Sequence, residues 1–131
     1  MTILSKKIIF LLHRTLAEAP SHDLSVSKQA AQRGHEKLCE VQSLYAKMSS
    51  ELADDRYWRY QRQVSPGLQE YIEALSFTHY LDHGNLITFE QVQNTLCDTS
   101  GKPVSLEPIT YSDLTHTVLS IGGLRLFTRI I

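Results

Sequence analysis

Apolar residues recur along much of the chain at intervals of three and four, the spacing that gathers them on one side of an α-helix. Residues 3–18 are dense in Ile and Leu and predict a buried helix, ended by Pro20, which cannot continue the ladder of backbone hydrogen bonds. From residue 23 to residue 52, Ala31, Leu38, Val41, Tyr45, Met48 and Leu52 form a seam with Glu, Gln, Lys and Ser between them. A helix of that length runs to about 45 Å at about 1.5 Å per residue, and only other helices laid alongside can cover such a stripe.

Asp54-Asp55 offers carboxylates that can cap a third helix. Ser65-Pro66 reads either as a kink or as a restart, with Ser at the cap and Pro in the first turn. Under both readings helix resumes, with Leu68, Ile72, Leu75 and His79 on one face, until Asp82-His83-Gly84-Asn85 supplies the stop. Thr88-Phe89-Glu90-Gln91 fits a capping box and opens a short helix to about Leu96. Residues 97–108 read as a loop carrying Gly101, Pro103 and Pro108. Thr110-Tyr111-Ser112-Asp113 can cap a last helix, which Gly122-Gly123 weakens by about 1 kcal/mol per glycine. No strand alternation, internal repeat or low-complexity tract competes, so the predicted class is all-α.

Size then bounds the architecture. The 131 residues, 42% apolar and 21% charged, fit one domain of ordinary composition. A domain of this length buries only roughly two-thirds of the surface its unfolded chain exposes, so a long helical array built from it leaves apolar faces for partner chains. With 13 Lys and Arg against 14 Asp and Glu there is no global basic field, and any nucleic-acid surface must be local. Cys39 and Cys97 lack metal-ligand spacing and read as reduced thiols that behave as small apolar residues. The apolar run from Ile8 to Leu12 is stopped by His13-Arg14. It is shorter than the roughly 7 to 15 residues of a secretory apolar region and the roughly 20 of a membrane span. A cytoplasmic or nuclear protein without a membrane segment is expected.

Two segments carry candidate chemistry. In Gln69-Glu70-Tyr71-Ile72-Glu73 the carboxylates stand three apart, on one side of a helix, where they can hold a hard cation directly or through water. A solvated acidic face has the same spacing. Glu70 and Glu73, however, lie opposite the Leu68, Ile72, Leu75 stripe and share their side with Phe77, Tyr80 and Leu81, which predicts a second packed surface or a cavity. Two carboxylates are a fragment of a Mg²⁺ site for phosphodiester hydrolysis, which needs several oxygen ligands. The second segment, Arg56-Tyr57-Trp58-Arg59-Tyr60-Gln61-Arg62, repeats Arg every third residue with aromatics between. Arg56, Arg59 and Arg62 can pair with phosphates while Trp58 and Tyr60 stack on unpaired bases. A plainer alternative is that the arginines cover the aromatics and pair with Asp54 or Asp55. His79 and His83 are four apart, but no further zinc ligands can be placed beside them. A Gly-rich phosphate loop and a Gly-x-Ser-x-Gly elbow are both missing.

The run Ile9-Phe10-Leu11-Leu12-His13-Arg14, and above all residues 67–77 from Gly67-Leu68-Gln69-Glu70 through Ser76-Phe77, followed by Leu86-Ile87, resembles the translin-associated factor X family. The similarity runs from about residue 3 to Asp113 within a single domain of residues 1–131, with a divergent tail at 114–131. The resemblance implies an antiparallel, translin-like helical bundle that assembles with translin into a hollow hetero-oligomer in nucleus and cytoplasm and binds single-stranded RNA and DNA. It also implies a Mg²⁺-dependent endoribonuclease in which Glu70 and Glu73 match the two acids of the Gln-Glu-x-x-Glu motif. The family completes its site from a later Asp-x-x-x-Glu helix, and here Ser120 and Leu124 stand at those places. The family's C-terminal helices also have no counterpart before Ile131. The expectation is a factor X-like subunit that binds translin and single-stranded nucleic acid with impaired nuclease activity. An active endoribonuclease subunit and a pure helical interaction module are the alternatives.

Overall fold

The computed structural model describes residues 1–18, 23–52 and 55–102, with Tyr57 described by its backbone alone. Its elements are all helical: α1 (Thr2–Ala17), α2 (Leu24–Ser49), α3 (Arg56–His83) and α4 (Phe89–Thr95). Pro20, Asp54, Ser120, Leu124 and the last helix predicted after Thr110 lie outside the described residues.

Local chemistry explains most of the boundaries. Asp23 caps α2 by accepting from the Ser25 amide at 3.3 Å. Gly84 ends α3 in the left-handed conformation at φ 75, where a side chain would be strained, and its amide bonds back to the Tyr80 carbonyl. Thr88 and Gln91 close the predicted capping box, each side chain bonded to the other's backbone amide at 3.2 and 2.8 Å. Asp55 sits at the N-cap of α3 but makes no side-chain capping bond, contrary to the sequence expectation. Arg56 stabilises that corner instead, donating to the Ser50 carbonyl at 3.1 Å and lying 3.8 Å from Glu51. Pro66 neither restarts nor breaks the element: α3 is continuous through it.

Contacts between the helices fix how they lie. Thr2 and Met1 meet Gly67, Lys6 meets Glu70, and His13 meets Phe77, so α1 and α3 run in the same direction. Gln42 bonds Tyr71 and His35 approaches Asp82, so α2 runs against α3. The result is an up-down-up bundle of three long helices in which sequence neighbours are antiparallel, with α4 joined to α3 through Thr95, whose hydroxyl is 2.8 Å from that of Tyr71. At Gly34 the three long helices come close together: a Cβ there would lie 2.6 Å from Thr78 Oγ1 and 3.1 Å from Leu12 Cδ2.

The core joins Ile8 and Leu12 of α1, Ala30, Ala31, Leu38, Val41 and Tyr45 of α2, and Leu68, Tyr71, Ile72, Ala74 and Leu75 of α3. Val92 and Leu96 close it from the α4 side. The seam predicted for α2 therefore holds as far as Met48, which is only partly buried, whereas the helix ends at Ser49 and Leu52 lies beyond it. The prediction of a buried first helix is corrected. α1 buries only Ser5, Ile8 and Leu12, and Ile3 and Phe10 are each 71% exposed. High apolar density does not reveal how many sides of a helix have neighbours. Each of the three long helices packs against the other two, and α3 buries more side chains than α1, from Leu68 to Leu81. No helix among the described residues is long and apolar enough to cross a membrane.

Candidate functional site

Both sequence-predicted segments lie on α3, and they differ in surroundings. From Arg56 to Pro66 no described side chain is buried, whereas from Gly67 onward most are. Arg59 and Arg62 are exposed, Trp58 is 62% exposed and Tyr60 is 43% exposed. Arg56 is the exception within the group, because its guanidinium is turned back onto the end of α2. Among the described residues the carboxylate beside Arg56 is that of Glu51, and the alternative pairing with Asp54 lies outside them.

Glu70 and Glu73 point toward α1 and are partly withdrawn from water, as their position beside Phe77 and Leu81 suggested. Glu70 keeps a quarter of its side-chain exposure, and its Oε1 lies 3.4 Å from Lys6 Nζ. Burial pushes the Glu73 carboxyl above the ordinary carboxylate range, the charge on Glu70 pushes it further, and Lys6 offsets part of this. A carboxyl raised in the folded state holds its proton more readily there than in the unfolded chain. Ionising Glu73 therefore costs stability as pH rises from the ordinary carboxylate range toward neutrality, and acidification relieves that cost. Replacing Glu73 by Gln is expected to raise the melting temperature at pH 7 and to lose that advantage below about pH 4, where the unfolded acid is protonated too. Melting curves at both pH values check it, and an equal shift at pH 4 and pH 7 would assign the effect to packing.

The described residues do not fit a resident divalent cation. Among them no group of three or more His, Cys, Asp or Glu side chains is placed to hold a metal, and one of the two acids already faces an ammonium. His79 and His83 also do not form a metal centre. Their rings stack at 4.3 Å, His79 Nε2 donates to Asn85 Oδ1 at 3.0 Å, and His83 Nδ1 donates to the His79 carbonyl at 3.3 Å. Burial lowers the His79 pKa, partly offset by the Asn85 bond, and the two rings secure the end of α3. Cys39 and Cys97 are free thiols; Cys39 is exposed and does not pack as an apolar residue.

The spacing of the two segments along α3 has a geometric result that pattern reading missed. Arg59 and Glu70, like Arg62 and Glu73, are eleven residues apart. At about 100° per residue that separation returns to within about 20° of the same side after a rise of about 16 Å. Exposed guanidiniums and half-buried carboxylates thus occupy one side of one rod. Lys6 was missed as well. It comes from a different helix, and nothing local in the sequence links it to Glu70.

Residues 1–122 match the Translin family. The chain belongs to the translin family. This translin-family chain is 33% identical over 116 residues to Translin-associated protein X of Rattus norvegicus, a match covering 86% of this chain and 38% of that protein. It is 33% identical over 111 residues to the Mus musculus protein of the same name, covering 82% and 36%, and 30% identical over 100 residues to that of Pongo abelii, covering 76% and 32%. The translin-family chain thus spans less than two-fifths of the length of these relatives. No solved structure matches it.

Proposed function

We propose that this chain is a translin-associated subunit that pairs with translin and binds single-stranded RNA or DNA along α3, with impaired Mg²⁺-dependent endoribonuclease activity, in nucleus and cytoplasm. The observation that carries the binding part is the exposed set of Arg59, Arg62, Trp58 and Tyr60 in line with Glu70 and Glu73. Guanidiniums can pair with phosphates and neighbouring aromatics can stack on bases, a combination that tolerates any sequence. Family membership and the name shared by the three relatives support the association with translin. Impairment is supported by the absence of a third metal-binding side chain among the described residues, and by Ser120 and Leu124 at the places where the family resemblance expects acids.

Anisotropy titrations of a labelled single-stranded RNA with this chain and translin test the binding. Trp58→Ala is expected to weaken affinity by about tenfold, in line with about 1–3 kcal/mol per stacked base. Arg59→Ala is expected to weaken it less and to flatten the salt dependence by about 0.7 in log–log slope. Unchanged affinity in both variants would leave only a helical interaction module. Mg²⁺-dependent cleavage of the same RNA tests the enzymatic part: none above background is expected. Robust cleavage that disappears in Glu70→Ala would replace the impaired subunit with an active one.

A further inference from the structure

The geometry points to Lys6 as the resident counter-ion of Glu70 and Glu73, an ammonium standing where a divalent cation would have to sit. This rests on the reading of the acidic pair as an impaired metal site and names what closes it.

Lys6 is brought to Glu70 by helix packing, not by a chance excursion of a surface side chain. Gly67 lets the start of α1 come close to α3, with Thr2 Oγ1 3.2 Å and Met1 Cβ 3.3 Å from the point where a Cβ would be. About two turns beyond Lys6, the His13 and Phe77 rings meet at 4.9 Å. Between these contacts the register of the parallel pair is set, and Lys6 faces Glu70 at 3.4 Å. The Lys6 side chain is largely exposed while that of Glu70 is largely covered, at 63% and 25%, with the ammonium brought to the Glu70 carboxylate. A lysine disposed in this way reaches inward with its charge to compensate acids that the fold has partly desolvated. A metal ion at the same place would meet two carboxylates, an ammonium and no third ligating side chain among the described residues. Mg²⁺ dehydrates reluctantly and gains too little there to displace the ammonium.

The experiment follows Mn²⁺ by the loss of its free-ion EPR signal, using the full chain and four variants checked for helicity by circular dichroism. Wild type and Lys6→Arg, which keeps the charge, are expected to bind Mn²⁺ no better than Glu70→Gln. Lys6→Met is expected to bind at least tenfold more tightly than wild type, and the gain should vanish in Lys6→Met/Glu70→Gln. A folded Lys6→Met no tighter than wild type overturns the role of Lys6 and leaves the impaired reading in place if wild type does not bind. Glu70-dependent binding by wild type that Lys6→Met tightens further overturns the impaired reading and supports the role of Lys6. The same binding with no change in Lys6→Met overturns both.

Discussion

Gly34→Leu is expected to destabilise the chain by about 3 kcal/mol or more, and Gly34→Ala by about 1 to 2 kcal/mol, on the scale of overpacked cores. A Cβ at residue 34 would lie 2.6 Å from Thr78 Oγ1, 2.9 Å from Thr78 Cγ2 and 3.1 Å from Leu12 Cδ2, so it meets both neighbouring helices at once. Thr78 cannot swing aside cheaply. It is branched at Cβ and fully buried, and its hydroxyl donates to the Ala74 carbonyl at 2.8 Å. The alanine loses less than the contacts suggest because it is a better helix former than glycine by about 1 kcal/mol. Urea unfolding followed by circular dichroism gives both values. In a Thr78→Ala background the Gly34→Ala cost should shrink, since the obstructing atoms are gone. An identical cost in the two backgrounds would mean that the close approach is not what the glycine serves.

Tyr71→Ala is expected to cost about 3 to 5 kcal/mol, and Tyr71→Phe about 1 to 2 kcal/mol of that. Tyr71 is fully buried, and its hydroxyl links three helices. Gln42 Nε2 donates to it at 3.0 Å, and it donates in turn to Thr95 Oγ1 at 2.8 Å, since the Thr95 proton goes to the Val92 carbonyl at 2.7 Å. Phenylalanine keeps the ring and leaves the Gln42 amide without its buried acceptor, so the smaller value isolates the relay. Thermal unfolding of the two variants separates ring from hydroxyl, and Tyr71→Phe equal to wild type would show that water replaces the bonds. The relay also has a pH signature. Burial raises the phenol pKa above the ordinary tyrosine value, with the two hydrogen bonds lowering it in part. The unfolded chain then loses this proton first as pH climbs past about 10, and wild type should lose stability there while Tyr71→Phe does not.

What could be read in advance follows the range of the interactions involved. The capping box at Thr88 and Gln91 and the stop at Gly84 each depend on a few consecutive residues, and both are found where the pattern puts them. The α2 seam is legible for the same reason, with one gap. Between Ala31 and Leu38 the contact to the other helices is made by Gly34, which is invisible to a search for apolar side chains because its contribution is the absence of one. Asp55 misleads in the other direction: its residue type favours a cap, but its backbone lies in the helical region at φ −65 and ψ −11, and no side-chain bond forms. The exposed side of α1 and the Lys6 to Glu70 contact depend on which helices lie against which. That is set by packing across more than sixty residues of chain and leaves no local trace.

Pro66 has a mechanical consequence. With no N–H to give, it leaves the Arg62 carbonyl without its usual partner one turn back, and α3 bridges that spot with one rung fewer than an ordinary helix. The missing rung falls immediately before Gly67, where α1 begins to grip the rod. Stiffness along α3 is therefore uneven: a firmly held carboxylate portion is joined through a compliant joint to a guanidinium-bearing lever. Bending there would change the distance between the two charge sets without disturbing the packed interior.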